Sequence, residues 1–248
     1  MTSAIRMSLL SISSLRRLAA RTSALGGVAL ALGVPVSAAQ ADALQAKIVA
    51  AARATPTARY AFRRTLVLDR SGAERKTYVE HFDPRRAPAD RWSLVSVDAR
   101  APSPKDLASA RKTKRGPTPS YAQIAEWFGS AATRTEVKGG VLYRFARLPK
   151  GIFKIGSHDA SADTQAEALV NTGGAVPFVE HVRMTSNKSF SVMLVASLRS
   201  IAVDQRYRLL GDGNAVPSEA SSALTGAMMG KAGTMRTSTS YSEFRAIP

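Results

Sequence analysis

The chain has 248 residues, is 45% hydrophobic, and carries a formal net charge of +17 from 35 basic and 18 acidic residues, with no cysteine. This length and apolar fraction supply a core for one large domain or two small ones and exclude wholesale disorder. Without cysteine there is no disulfide and no lipid-modified N-terminal thiol.

The first 41 residues hold Arg6, Arg16, Arg17 and Arg21 and no acid. An apolar run from Leu25 to Val36 follows, then small residues ending at Ala39–Ala41. Basic, apolar and small-residue regions in this order predict a cleavable export signal at 1–41, with the mature chain starting at Asp42. The alternative is an uncleaved anchor helix, but the run is short for a span, and Gly26, Gly27, Gly33 and Pro35 weaken it as a helix. The pair Arg16-Arg17 leaves the general secretory and twin-arginine routes both open. No later stretch reaches membrane-spanning length, so the expectation is a soluble protein of a bacterial periplasm.

Residues 42–248 are expected to form one α+β domain with a helical insertion near 103–130. Asp42 is placed to cap a helix ending before Pro56, with Leu44, Ile48, Ala51 and Ala52 on one face. From Tyr60 the period changes to two: Tyr60, Phe62, Leu66 and Leu68 alternate, Arg64 being the exception. Asp69–Gly72 turns the chain into a second alternating run through Tyr78 and Phe82, and Arg91–Asp98 reads as a third strand. The proline-bounded, basic stretch Pro102–Ser120 predicts a short helix and a loop. Tyr121, Ile124, Ala125 and Phe128 then fall at helical spacing, stopped by Gly129.

The second half returns to strands. Val141, Tyr143 and Phe145 alternate with Leu142, Arg144 and Ala146, and Glu167–Met184 places glycines between two apolar runs, a hairpin signal. Phe190–Leu210 reads as one long strand, apolar on both faces from Val192 to Leu198. Two further strands flank the Gly-Lys-Ala-Gly turn at 230–233. About ten strands with helices in front and in the middle predict a twisted antiparallel sheet covered on one face, enclosing a hydrophobic groove if strongly curved.

This order of signal, helix, antiparallel strands, central helical insertion and more strands resembles the periplasmic and outer-membrane carriers of the Lol lipoprotein-sorting system. The resemblance implies a single strongly curved antiparallel sheet, an unclosed half-barrel with helices over its concave face and a cavity for acyl chains. The missing cysteine departs from the lipoprotein members and favours a soluble shuttle. Groove candidates on this reading are Trp127, Phe128, Val192, Leu194 and Leu198.

The stretch Thr225–Thr234 has the glycines and lysine of a phosphate-binding loop. However, Gly226 is followed by three residues before Gly230, where four are needed, and Lys231 precedes Ala232 where Ser or Thr should hold magnesium. The hairpin is the better reading. Ser109-x-x-Lys112 matches the Ser-x-x-Lys of penicillin-binding enzymes but lies in a basic segment with few apolar neighbours. His81, His158 and His181 match no metal spacing; of the three, His158 in Gly156–Asp159, with Asp163 four residues on from Asp159, is the best placed for a loop metal site, and a small hydrolase centred on His158 is a third functional reading. No cofactor and no metal are expected. Lys105, Arg111, Lys112, Lys114 and Arg115 form the strongest charge signal, either a solvated face or an attraction to anionic membrane, glycan or protein surfaces. Export and the lack of interleaved aromatics argue against nucleic acid. The leading expectation is a periplasmic carrier of a lipid or a lipoprotein acyl chain; the alternative is a non-enzymatic basic envelope protein binding anionic glycans, lipids or proteins.

Overall fold

The computed structural model describes residues 42–56, 59–113, 120–155, 158–186, 188–193, 196–228 and 231–247, with backbone alone at 192, 193, 196 and 228. Helix α1 (Ala43–Ala54) starts where expected, because the Asp42 carboxylate accepts from the backbone N–H of Leu44 (2.9 Å) and Gln45 (3.1 Å). Its buried stripe is Ile48, Val49 and Ala52.

Strands β1 (Tyr60–Arg70), β2 (Lys76–Phe82) and β3 (Trp92–Val97) form a meander. Helix α2 (Pro104–Lys112) follows, opened by a capping box between Ser103 and Asp106. Then come β4 (Thr133–Val137), β5 (Gly140–Phe145), the short pair β6 (Lys154–Ile155) and β7 (His158–Asp159), and β8 (Gln165–Asn171). The chain closes with β9 (Phe178–Ser186), β10 (Phe190–Met193), β11 (Ala196–Leu209), β12 (Ala215–Met228) and β13 (Lys231–Ala246).

All but β6 and β7 join an eleven-stranded antiparallel sheet of order β3-β2-β1-β13-β12-β11-β9-β8-β5-β4, with β10 added on β11. The first and last strands therefore lie side by side, Leu66 opposite Thr239. The sheet is an unclosed half-barrel whose two edges, β3 and β4, follow one another in the chain and are separated by the helical insertion.

Three local expectations are corrected. Phe190–Leu210 is two strands, since Phe190 pairs with Leu198 and Met193 with Ala196. The reversal falls in an apolar run with no Gly, Pro, Asn or Asp to mark it. Residues Tyr121–Glu126 form a 3₁₀ rather than an α-helix, capped by the Ser120 hydroxyl. β4 was not expected, because Thr133–Val137 is exposed along its whole length and shows no apolar alternation.

The main core lies on the concave side of β5, β8, β9 and β11 and is sealed by α1 and the 3₁₀ turn. Val179 N–H donates to the Tyr121 hydroxyl at 2.8 Å, and the Gln45 side-chain amide donates to the Ser130 carbonyl at 2.8 Å. These bonds lock the covering elements to the sheet and to each other.

Candidate functional site

Strand register sets out the other half of the concave face row by row. Phe62 pairs with Phe82, which pairs with Trp92; Arg64 pairs with Glu80, which pairs with Leu94; Leu66 pairs with Tyr78, which pairs with Val97. On the other flank Leu66 faces Thr239 and Leu68 faces Thr237, whose hydroxyl is 2.7 Å from that of Ser222 on β12. Cross-strand partners share a face, so β1's even-numbered side chains define one surface.

Its first row is aromatic. The Phe62 ring stacks on Phe82 with centroids 5.0 Å apart and meets Trp92, Tyr241 and Phe244 at 5.6, 5.8 and 5.4 Å. Phe244 joins because Glu243, at φ +55°, bulges β13 opposite β1 and re-aims the next side chain inward. This cluster draws on strands alone. Beside it a cleft of about 30 Å³, lined in part by Tyr60, Phe62, Tyr121 and Phe244, has room for little more than a water or two.

The second row is ionic. Arg64 Nε donates to Glu80 Oε2 at 3.0 Å, Arg64 Nη2 bonds the same oxygen, and the guanidinium lies 4.0 Å from the Trp92 ring centroid. The two side chains are only 18% and 9% exposed. Burial pushes the neighbouring Tyr241 hydroxyl above its ordinary pKa of 10.0, with Arg64 pulling the other way. Beyond the pair lie Leu66, Leu68, Tyr78 and Leu94, half-buried and part of neither hydrophobic cluster. Helix α2, beside β3 through an Arg100–Asp106 ion pair of 3.6 Å, buries no residue, and its Leu107 is exposed.

Those of the residues singled out in the sequence that are described lie outside this surface. Trp127 and Phe128 are in the sealed core, with ring centroids 5.1 Å from Phe145 and Tyr143 respectively. Leu198 is buried on β11 opposite Gly226. The side chain of Val192 and all of Leu194 lie outside the described residues, as do Lys114 and Arg115. Lys105, Arg111 and Lys112 are exposed on α2. The His158 ring stacks on Phe190 with centroids 4.1 Å apart, while Asp159 is bonded to Gly151 N–H and to Ser161, and Asp163 to Lys188. His181 sits 3.2 Å from Asp204 on the outer face. Among the described residues no group of three His, Asp or Glu is placed to hold a metal. Ser109 is exposed on α2, and residues 219–228 pair with 231–240 as a hairpin around the stretch that resembles a phosphate loop.

The alternation at Phe62, Leu66 and Leu68 and the strand that holds Leu94 were visible in the sequence. Which half of the sheet the helices leave uncovered was not. Arg64, the single charge in an apolar alternation, was the available signal.

No family model matches the chain, and no curated protein matches it. Among solved structures, a LolA superfamily protein from Nitrosomonas europaea is similar, at 11% identity and a TM-score of 0.32, covering 83% of this chain and 94% of that one.

Proposed function

We propose that the protein is a carrier that holds an acyl chain of a lipid or lipoprotein against the uncovered half of its concave face. The observation that carries this reading is the unshared apolar surface of Leu66, Leu68, Tyr78 and Leu94. These side chains continue the face that elsewhere forms the core, yet among the described residues they join no hydrophobic cluster. An acyl chain laid there would gain about 0.8 kcal/mol per buried methylene. The Arg64–Glu80 pair, set between the aromatic row and this surface, provides the polar end against which an ester or amide of the ligand would rest. On this reading residues 1–41 direct export to a periplasm and are removed. Among the described residues no helix is long and apolar enough to cross a membrane.

The test is native mass spectrometry of the protein purified from its host, with a competition titration using a fluorescent fatty acid. Co-purified lipid, and at least tenfold weaker binding by Leu66→Asp with an unchanged circular dichroism spectrum, is the expected result. A ligand-free protein that ignores the fatty acid at millimolar concentration overturns the proposal.

A further inference from the structure

The two edges of the half-barrel are treated differently. At β3 the chain folds back through Asp98 and Ala99, both in the left-handed region, and α2 stands alongside. At β4 nothing of the kind is found among the described residues: it is the last strand of the sheet, and all five of its residues are exposed. An open strand edge presents unpaired N–H and C=O groups and is a template for a further strand.

The geometry fixes which groups these are. β4 and β5 are joined by the two-residue turn Lys138-Gly139, with Gly139 at φ +85° and Val137 paired with Gly140. A two-residue hairpin closes on a hydrogen-bonded pair, so Thr133, Thr135 and Val137 direct their backbone groups to β5. Arg134 and Glu136 direct theirs outward.

We propose that a second copy of this chain adds to β4, antiparallel and about a two-fold axis through Thr135. In that register Arg134 of one copy faces Glu136 of the other, twice. Both are outward-directed residues, so each pair exchanges two backbone hydrogen bonds, as the antiparallel ladder requires. The same register places unlike charges opposite each other. Within one chain Arg134 and Glu136 already lie on one face, 2.5 Å apart, with Asp42 3.4 Å from Arg134. The dimer therefore extends an alternating charge pattern already present. A register one residue off would set inward-directed groups against outward ones, and a shift of two would put Arg134 or Glu136 against its own copy. The isologous arrangement closes on itself, so it stops at two copies. The contact is short, and association is weak and concentration-dependent.

The cysteine-free chain makes the register testable. At the two-fold axis Thr135 meets its own copy as a non-hydrogen-bonded pair, with Cα atoms about 4.5 Å apart, within the range of about 4.4–6.8 Å that a disulfide spans. Thr135→Cys, in the protein purified as its host produces it, should cross-link under mild oxidation at least tenfold faster than Thr133→Cys. Mixing Thr133→Cys with Val137→Cys should restore the fast rate, because those positions oppose each other. Equal rates for Thr135→Cys and Thr133→Cys overturn the proposal. Independently, Glu136→Pro removes an outward N–H while sparing the β4–β5 ladder. It should abolish the self-association of the cysteine-free protein in sedimentation velocity. A wild type that stays monomeric up to millimolar concentration, or a dimer indifferent to Glu136→Pro, overturns it as well.

Discussion

Arg64 and Glu80 face each other across β1 and β2 on the concave side, and two guanidinium nitrogens bond one carboxylate oxygen beneath the Trp92 ring. Breaking such a pair by removing one partner leaves a charge in a dry place. Arg64→Met should therefore cost about 3–5 kcal/mol. The double variant Arg64→Met with Glu80→Leu should recover most of that loss. Urea unfolding of the four members of this cycle reads the coupling, and equal losses for single and double variants would show the pair to be solvated.

Asp42 ties α1 to the far end of the sheet. Burial raises its pKa, but the N–H groups of Gln45 and Leu44, the Tyr143 hydroxyl at 2.8 Å and the Arg134 charge outweigh this and hold it below its ordinary 3.8. The carboxylate therefore stabilises the fold fully above the unfolded value, and the contribution is lost as pH falls through the depressed folded one. Asp42→Ala should cost about 1 kcal/mol at pH 7 from the lost cap, and the two proteins should converge in stability in strong acid. Denaturation at pH 7 and pH 2.5 checks both halves of the expectation.

Gly226 and Lys231 distinguish a hairpin from a phosphate loop. A β-carbon on Gly226 would collide with the Ser197 carbonyl oxygen across the β11–β12 pair. Gly226→Ala should thus lose about 1–3 kcal/mol as overpacking. Lys231→Ala, at an exposed strand start, should stay within about 0.5 kcal/mol of wild type. Thermal melts of both would settle the matter, and ATP should shift neither.

The basic side chains of α2 bury nothing, so changing them tests attraction without touching the core. Glutamine at Lys105, Arg111 and Lys112 should leave the melting temperature unchanged and weaken sedimentation with anionic vesicles several-fold at low salt. The difference should fade at physiological ionic strength and above, where exposed charges are screened beyond about 8 Å. Equal, salt-insensitive sedimentation of both proteins would mark the segment as a solvated face.

Much of the fold was legible because its signals are local. Asp42 announces α1, two-residue alternation announces β1, β2, β3 and β5, and glycines between two apolar runs announce β8 and β9. β4 was silent because a strand exposed on both faces has no apolar period. The β10–β11 reversal was hidden because the sequence from Phe190 to Leu198 holds no Gly, Pro, Asn or Asp. At the site, alternation assigned Leu66, Leu68 and Leu94 to faces but could not say which faces a helix covers. Trp127 and Phe128 looked like groove residues because size and apolarity are all a sequence shows of them. Their packing against Phe145 and Tyr143 depends on a strand met later in the chain. Arg64 stood out as an exception, but its meaning needed Glu80, and that partner comes from register.

The adjacency of β1 and β13 also governs when the molecule can fold. Their contacts span nearly the whole chain, the kind of long-range pairing that slows folding. Until the last sixteen-residue strand is available, the β1–β3 meander has no link through the sheet to β4–β12. Premature termination before Lys231 should then leave β1–β3 unattached to the rest of the sheet, and limited proteolysis of truncated chains should cut that segment first.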